Sequence, residues 1–434
     1  MRNVGHEVAF ISFDDRSTEM LCASGFKVFS LSDSSVGFDT SDGGLDRELK
    51  KYGIENLNFW FGHERFAFGI RDSIELRRKL LGALAVADKA CVEWQRNGEV
   101  TMVQELGGFL SVIGSYFAAR KHGIDNWFVE PSFFRGRLLF LRNSFSALSV
   151  NSAVDELPSK EVEDYLLSAI ANSTIVVPQK DKHQYAAPWK KIVNIKNLRR
   201  LFEKLLDKYW FGKRQEFGYI GRHISLHAKM LWSELRLRSH YTSIDECKRF
   251  VYYPLHVPGD MALTLRSPSY LDQLALIDYI ARSVPYTHKV AIKEHPAMIG
   301  AVDSGRLLEL MAKHDNLILL PPSTNNYKVL SAADAVVSVN SKSGAEATLL
   351  GKPVLVLGDA FYSGSPLVHR IDGIQDLPSC LRSVLQQPTI LDHDLVSRYF
   401  EAVWRSSFPG ELYVNDEDNV RVFMQSMMSA TSTL

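Results

Sequence analysis

At 434 residues the chain exceeds what one hydrophobic core usually supports, which favours two or more domains with a cleft between them. Fifty basic residues balance fifty acidic ones and 46% of residues are hydrophobic, which excludes a disordered or fibrous chain and recruitment to nucleic acid by net charge. The four cysteines are scattered and form no CxxC pair, which predicts a cytoplasmic protein without structural zinc. We see no export signal and no apolar stretch of the ~20 residues that a bilayer requires, so we expect no membrane anchor.

The first 150 residues alternate predicted strands with helices. A long helix is predicted over 72–95, and apolar or β-branched runs predict strands at 8–13, 27–31, 58–62, 100–105, 126–131 and 138–143. Alternation of this kind is typical of a mostly parallel sheet covered by helices, so residues 1–150 are assigned to an N-terminal Rossmann-like domain.

Residues 151–245 have few β-branched runs and are predicted to form a helical insertion or linker. Within it, apolar residues recur at three- and four-residue intervals from Ile195 to Tyr209, and lysines and arginines crowd around them over residues 190–214. Two interpretations remain open. The helix packs against the sheet domains with a solvated basic face, or the segment makes peripheral contact with anionic lipid through its basic face and Tyr209, Trp210 and Phe211.

Residues 246–378 carry the most regular βα pattern and predict a second doubly wound domain. Strands are predicted at 249–255, 289–293, 316–320, 335–340 and 353–358, and helices after Pro268 and over 306–313, 327–333 and 344–350. The tail, 379–434, is predicted to be helical. Its Asp416-Glu417-Asp418 run imitates a metal-binding DxD motif, but its place before a helix favours capping, and no metal site is predicted.

Ligands of open parallel sheets bind at the carboxyl ends of strands, and one such end carries Lys293-Glu294-His295-Pro296. Pro296 ends the strand and leaves the imidazole of His295 at its rim. A lysine and a histidine there suit a phosphate, because each donates charge-assisted hydrogen bonds to oxygen. The alternative is a surface salt bridge between Lys293 and Glu294.

A second strand end leads through Ser341, Ser343 and Gly344 into a helix. Small hydroxyl residues and a glycine at a helix start predict an anion site, and a serine there is also an ordinary N-cap. Glu346, three residues after Ser343, is either a capping-box partner or a ligand for ribose or sugar hydroxyls. After the last strand, the aromatic pair at 361–362 either stacks on a ring of the ligand or packs between the domains.

The ordered set VAIKEHP, SVNSKSG and GKPVLVLG, preceded by PLHVPGDMALTLRSPSY, resembles the capsule polysaccharide synthesis family, which includes Kdo transferases. It is more distantly similar to polyglycerol phosphate polymerases and bacterial sialyltransferases, which share an HP motif and a serine motif. The resemblance covers about 125 residues strongly and extends weakly to QELGG and VEPSFF in the N-terminal domain. The chain departs from the family between Pro254 and Asp260, where members often carry a glutamate after proline and this chain has Gly259 and Asp260.

The resemblance implies a GT-B-like fold, with two Rossmann-type doubly wound domains facing a cleft. The C-terminal domain would bind a nucleotide-sugar donor, commonly CMP-linked, and the N-terminal domain a glycan or lipid-linked acceptor. It also implies that His295 and Ser341 or Ser343 hold the donor phosphate, and Lys293, Gly344 and Glu346 complete the predicted donor site.

Basic groups and a helix end can neutralise the departing phosphate, so we expect neither metal nor cofactor. A carboxylate of the first domain would act as general base or nucleophile, with Glu130 the first choice and Glu105 the second.

The leading hypothesis is therefore a glycosyltransferase of surface polysaccharide synthesis that transfers a sugar such as Kdo. A sugar-nucleotide epimerase, a glycerophosphotransferase and a noncatalytic polysaccharide export or scaffold component are the alternatives.

Overall fold

A computed structural model of the chain describes residues 5–31, 39–172, 195–386 and 392–433, and it confirms the predicted α/β class with parallel sheets. The strands are β1 (Ala9–Ser12), β2 (Lys27–Ser30), β3 (Thr101–Glu105), β4 (Asp125–Pro131), β5 (Arg137–Arg142), β6 (Phe250–Pro254), β7 (Lys289–Lys293), β8 (Leu317–Leu320), β9 (Ala335–Ser338), β10 (Val354–Val356), β11 (His369–Arg370) and β12 (Phe408–Pro409).

The α-helices of the described residues fall into two groups. Those of the N-terminal half are α1 (Asp15–Ala23), α2 (Asp42–Tyr52), α3 (Leu57–Phe68), α4 (Ser73–Gln95), α5 (Leu110–Lys121) and α6 (Lys160–Ala171). The others are α7 (Ile195–Leu205), α8 (Ile220–Leu237), α9 (Met261–Thr264), α10 (Gln273–Ser283), α11 (Ser304–Lys313), α12 (Asn326–Ala332), α13 (Lys342–Leu349), α14 (Leu377–Gln386), α15 (His393–Arg405) and α16 (Glu417–Thr433).

The C-terminal sheet is a continuous six-stranded sheet in the order β11-β10-β9-β6-β7-β8, and every recorded pairing in it is parallel. Tyr252 of β6 is paired with Ala291 of β7 on one side and with Val336 of β9 on the other. Its strands are apolar on both faces because both faces are covered, which explains the unbroken apolar runs of the sequence. Each strand and helix predicted for this half forms within a few residues of its expected bounds.

The N-terminal strands form two separate sheets. One contains β1 and β2 in parallel, and the other has the order β12-β5-β4-β3, in which β4 pairs with β5 in antiparallel fashion. The strand predicted at 58–62 is wrong, because these residues lie inside helix α3. A short apolar run has no clear period, and here Phe61 is buried on one side of a helix while Phe59 stays exposed.

The C-terminal tail returns to the N-terminal half. Helix α15 packs on α6, and β12 extends the sheet of β3–β5. The Asp416 side chain accepts a hydrogen bond from the Asn419 backbone N–H at 2.8 Å at the start of α16, which confirms the predicted capping role of the acidic run.

Candidate functional site

The candidate site lies where the strand order of the C-terminal sheet reverses. The chain runs from β6 outward through β7 and β8, and then returns to the other side of β6 to form β9, β10 and β11. Helices leave the sheet in opposite directions at such a point, and a crevice opens at the carboxyl ends of the two central strands. The register sets Lys293 of β7 and Ser338 of β9 level with Pro254 of β6, so the two predicted motifs flank the end of β6.

The segment that begins α13 is held in place by hydroxyl groups. Ser341 is the N-cap, and its Oγ accepts a hydrogen bond from the Ser343 backbone N–H at 3.2 Å, so the predicted capping role of Ser341 is confirmed. The Ser338 hydroxyl accepts from the Ser341 backbone N–H at 3.1 Å, and the Tyr362 hydroxyl donates to the Ser341 carbonyl. The helix end, with a partial charge of roughly +0.5, therefore has a fixed position at the sheet edge.

Gly344 permits this arrangement. A Cβ at this position would lie 2.2 Å from the hydroxyl oxygen of Tyr362, so any side chain would push the tyrosine away from Ser341. Tyr362 is buried and contacts Ser338 and Ser341, and it is not available to stack on a ligand. Of the two interpretations of the aromatic pair, packing is therefore the one that holds for Tyr362.

Glu346 and Lys293 lie beneath the sheet edge. Glu346 is 5% exposed and accepts a hydrogen bond from the Asn326 side-chain amide at 2.6 Å, so the capping box is not formed. Burial raises the pKa of its carboxyl group. Lys293 is 4% exposed and donates to the Thr324 carbonyl at 3.0 Å; burial lowers its pKa to about 8, against the opposing charge of Glu346. The Asn326 amide also donates to the Ser343 hydroxyl at 3.0 Å, which connects this buried network to the start of α13.

His295 lies at the end of β7 on a loop that a buried carboxyl group organises. Glu294 is 1% exposed and accepts hydrogen bonds from the backbone N–H groups of Gly300 at 3.0 Å and Val302 at 3.4 Å. Burial raises its pKa to about 7. The Ala297 backbone N–H donates to Nδ1 of His295 at 3.2 Å, so the neutral ring carries its proton on Nε2. The predicted Lys293–Glu294 salt bridge is absent among the described ion pairs.

The two predicted catalytic carboxylates have different surroundings. Glu130, at the end of β4, forms a two-bond ion pair with Arg266 at 2.8 and 3.1 Å, and the two side chains are 17% and 9% exposed. Burial opposes the charge on Arg266, but the attraction of Glu130 outweighs it and the net direction of the Arg266 pKa is upward. Glu105, at the end of β3, is half-buried and accepts a hydrogen bond from the Tyr413 hydroxyl.

A cavity of about 2140 Å³ lies between the N-terminal sheets and the C-terminal domain. Residues of β1 and β3 line it, together with residues of helices α7 and α8. Glu105, Gly107, Gly108 and His63 line it together with the loop Val257–Met261 that follows β6. Glu130 is not among its lining residues. Gly259 in that loop packs on α3, where a Cβ would lie 2.8 Å from the Cα of Ala67, which gives a steric reason for glycine at this position.

His63 is a residue of this cavity that the sequence does not single out. It is 4% exposed, its Nδ1 lies 2.8 Å from the Thr264 hydroxyl, and burial lowers its pKa to about 4. A Cβ on Gly108 would lie 2.3 Å from its ring, so the QELGG segment can approach only because that residue is glycine. His63 lies on a helix, directly after the run at 58–62 that was predicted to be a strand, so the sequence did not indicate its position in the site.

The polar groups at the sheet edge are hydroxyls, backbone N–H groups and imidazoles, which suit an anion. Among the described residues, no group of three or more His, Cys, Asp or Glu side chains has a geometry that could hold a metal ion.

The basic segment 190–214 is described from residue 195 onward, and Lys190 and Lys191 lie outside the described residues. Several of its apolar side chains are exposed: Leu198 is 50%, Phe202 61%, Tyr209 72% and Trp210 80% exposed. The packed face expected from its periodicity is therefore not buried at these positions. Leu201 and Leu205 are half-buried, and Leu198 and Leu201 line the cavity. No helix in the described ranges combines the length and hydropathy needed to cross a membrane.

Comparisons with known proteins give three kinds of match. A family model described as capsule polysaccharide biosynthesis protein matches residues 114–371, more than half of the chain. Protein FixF of Sinorhizobium fredii (strain NBRC 101917 / NGR234) is 34% identical over 132 residues, which are 30% of this chain and 31% of FixF, so the match spans about a third of that relative.

Among solved structures, the beta Kdo 2,7 transferase of Thermosulfurimonas dismutans KpsC is similar at 13% identity and a TM-score of 0.40, covering 98% of this chain and 100% of that one. The UDP-GlcNAc 2-epimerase of Methanocaldococcus jannaschii, in complex with UDP-GlcNAc and UDP, is similar at 12% identity and a TM-score of 0.31, covering 92% and 99%.

Proposed function

Because the chain belongs to the capsule polysaccharide biosynthesis family, we propose that it is a GT-B-type glycosyltransferase that binds a nucleotide-sugar donor at the carboxyl edge of its C-terminal sheet. The observation that carries this proposal is the coincidence of three features at one place. The strand order reverses between β6 and β9, a hydroxyl-rich helix start follows β9, and His295 follows β7 on the other side of β6.

The donor phosphate lies against the first turn of α13. The fixed helix end attracts negative charge, and the Nε2–H of His295 donates to a phosphate oxygen from the opposite side. Both groups stabilise the phosphate as it leaves the sugar, which lowers the barrier without requiring a metal ion. Two buried side chains position the residues around the site. Lys293 donates to the Thr324 carbonyl, and Glu346 accepts from the Asn326 amide. The favoured donor is CMP-linked, with an acidic sugar such as Kdo.

The acceptor occupies the cavity between β1, β3 and the loop that follows β6, and it is a glycan or a lipid-linked glycan. Glu105 is the better placed of the two carboxylates to remove a proton from the acceptor hydroxyl, because it lines the cavity and Glu130 does not. The attacking hydroxyl oxygen bonds to the anomeric carbon, the bond to the donor phosphate breaks, and the proton passes to the Glu105 carboxylate. Glu130 pairs with Arg266 and joins the two halves.

Matched variants separate the two carboxylates. Glu105→Gln should lower kcat by roughly a hundredfold or more while leaving donor binding intact, the range expected for loss of a general base. Glu130→Gln should mainly lower thermal stability. A Glu105→Gln enzyme with full turnover would exclude that base, and a Glu130→Gln enzyme of normal stability but no turnover would return the role to Glu130.

The test of the function itself is a panel of nucleotides followed by a product assay. Thermal stabilisation by one of CMP, UDP, GDP and ADP should identify the donor class, since a ligand at a hundred times its Kd stabilises by about 2.7 kcal/mol. The corresponding nucleotide sugar should then release nucleotide only when an acceptor is added. Conversion of the donor alone would indicate an epimerase, and no response to any nucleotide would favour a noncatalytic role.

We further propose that the segment 195–211 touches an anionic membrane surface at the cytoplasmic face. Exposed Trp210 and Phe211 would enter the interface beside the basic residues of α7. Flotation with phosphatidylcholine vesicles, with and without phosphatidylglycerol, tests this. The Trp210→Ala/Phe211→Ala variant should lose binding, whereas Tyr286→Ala, which removes a still more exposed aromatic side chain from the C-terminal domain, should not. Wild-type protein that fails to float at low salt would refute the proposal.

A further inference from the structure

His256 occupies the central position of the proposed donor edge. It follows β6, the strand on one side of the reversal point, two residues beyond Pro254. The end of β7 lies on one side of it and the end of β9 on the other. Adjacent strands are ~5 Å apart, so the motifs on β7 and β9 are separated by ~10 Å at the level of the strand ends. A ligand that contacts both motifs therefore has to pass over the end of β6.

The backbone of His256 is fixed on both sides by one buried amide. The side chain of Gln273 accepts from the His256 backbone N–H at 2.7 Å and donates to the His256 carbonyl at 3.1 Å. Gln273 is itself buried, at the first turn of α10. These two hydrogen bonds fix the backbone from which the imidazole extends, in the absence of any ligand.

The imidazole of His256 has an unused polar atom. The residue is 8% exposed, and its Nε2 is buried without a hydrogen-bond partner. Nearly all buried polar atoms in folded proteins are paired, so an unpaired ring nitrogen beside a sheet edge is available to a hydrogen-bond partner from outside the chain. Burial is the largest influence on the ring and lowers its pKa to about 4; Asp260 acts in the opposite direction and His295 in the same one. The two histidines and Asp260 are thus close enough to interact.

We infer that His256 is a further donor-binding residue, which together with His295 contacts the phosphate oxygens of the nucleotide at the end of the central strand. The inference rests on the proposed function, because it assigns a ligand to the same edge. The Nε2 atom of His256 donates to a phosphate oxygen when protonated there, and the phosphate charge favours that state over the bare acceptor form. The site then holds its anion from three strand ends, β6, β7 and β9.

The experiment compares binding of a nucleotide with binding of the nucleoside that lacks the phosphate. The nucleotide is the one that stabilises the wild-type chain most strongly among CMP, UMP, GMP and AMP. Titration calorimetry on His256→Ala should show an affinity for this nucleotide that is roughly ten- to a hundredfold lower, as expected for loss of a charge-assisted hydrogen bond, and an unchanged affinity for the nucleoside. His256→Gln keeps a hydrogen-bond donor but not the imidazole ring, and its nucleotide affinity should fall between those of wild type and His256→Ala.

His288→Ala is the matched control. His288 is a buried histidine of the same domain, 5% exposed, but it precedes β7 and therefore lies at the opposite edge of the sheet. Its removal should leave nucleotide affinity unchanged. Folded His256→Ala or His256→Gln protein that binds the nucleotide as tightly as wild type would overturn the inference. A wild-type chain that binds no nucleotide would instead overturn the proposed function, and the inference with it.

Discussion

The two halves of the chain present their strand edges differently. In the C-terminal half, β6 is hydrogen-bonded on both sides and six strands form one continuous sheet. In the N-terminal half, β1 and β3 belong to separate sheets and both line a cavity of about 2140 Å³. The difference teaches how rigid each site is before any ligand binds. The C-terminal edge is set by paired backbone and capped helices, whereas the cavity is bordered by strands of two separate sheets and by helices and loops from several parts of the chain.

This contrast fits the chemistry of a transferase. A nucleotide phosphate is a small, invariant group that gains from preorganised donors, because these donors need not reorganise on binding. An acceptor glycan is larger and more variable, and an open cavity can accommodate it. Substitutions can test this contrast at three places: the Glu130–Arg266 pair, which is the joint between the halves, the loop that carries His295, and the start of α13.

The largest effect is expected at the joint between the halves. Arg266→Ala leaves the Glu130 carboxylate without its partner and removes hydrogen bonds to the carbonyls of Phe145 and Ser146. Removal of one member of a buried ion pair typically costs about 3–5 kcal/mol. Urea denaturation should show a loss of that size.

The control for this prediction is Arg306→Ala. Arg306 pairs with Asp272 at 2.8 Å, but the two side chains are 53% and 52% exposed. Exposed pairs contribute less than about 1 kcal/mol because water screens them. Equal losses in the two variants would show that the joint between the halves is no stronger than a surface contact.

The next effect concerns the loop after β7. Burial raises the folded-state pKa of Glu294 to about 7 from its ordinary 4.5, so the folded chain retains a proton that the unfolded chain releases between these values. The stability from this group is complete below pH 4.5 and is lost as the pH rises through 7, by up to about 3 kcal/mol. The difference in free energy of unfolding between Glu294→Gln and wild type should therefore shift in favour of the variant over this range.

Two histidines act in the opposite direction and are present in both proteins. His63 and His256 have folded-state pKa values of about 4 against 6.5, so they destabilise the fold as the pH falls from 6.5 to 4. Subtracting the two pH profiles cancels this contribution. A difference between the profiles that does not change with pH would contradict the account of Glu294.

A smaller effect on stability, with a clear effect on binding, is expected at the start of α13. Gly344→Ala places a methyl group 2.2 Å from the Tyr362 hydroxyl oxygen, and overpacking of this kind costs about 1–3 kcal/mol. The displaced tyrosine releases Ser341, so nucleotide affinity should fall. Gly43→Ala is the control, because a Cβ there has no neighbour within 4 Å. Unchanged nucleotide affinity in Gly344→Ala would show that the position of Ser341 does not contribute to nucleotide binding.

The sequence predicts much of the C-terminal half because its signals are local. Apolar runs ended by Pro296 or by the serines at 341 and 343 mark both the strands and the helix starts. The capping role of Ser341 follows from the same local pattern. The alternatives for Glu346 could not be resolved in this way, because its partner Asn326 is 20 residues distant.

The N-terminal half is predicted less well for physical reasons. The run at 58–62 has no period that distinguishes a buried strand from a helix, and the structure makes it α3. The cavity that β1 and β3 line depends on how two sheets pack, and the Glu130–Arg266 pair joins residues 136 positions apart. His256 lies within the segment PLHVPGDM, but the sequence could not show that its Nε2 is buried and unpaired.

The central claim is that a nucleotide binds at the carboxyl edge of the C-terminal sheet, and a crystal structure with the most stabilising nucleotide tests it most directly. The account predicts a phosphate group between the ends of β6 and β9, against the first turn of α13 and within hydrogen-bond distance of His295. A nucleotide bound elsewhere, such as in the cavity between β1 and β3, would contradict it.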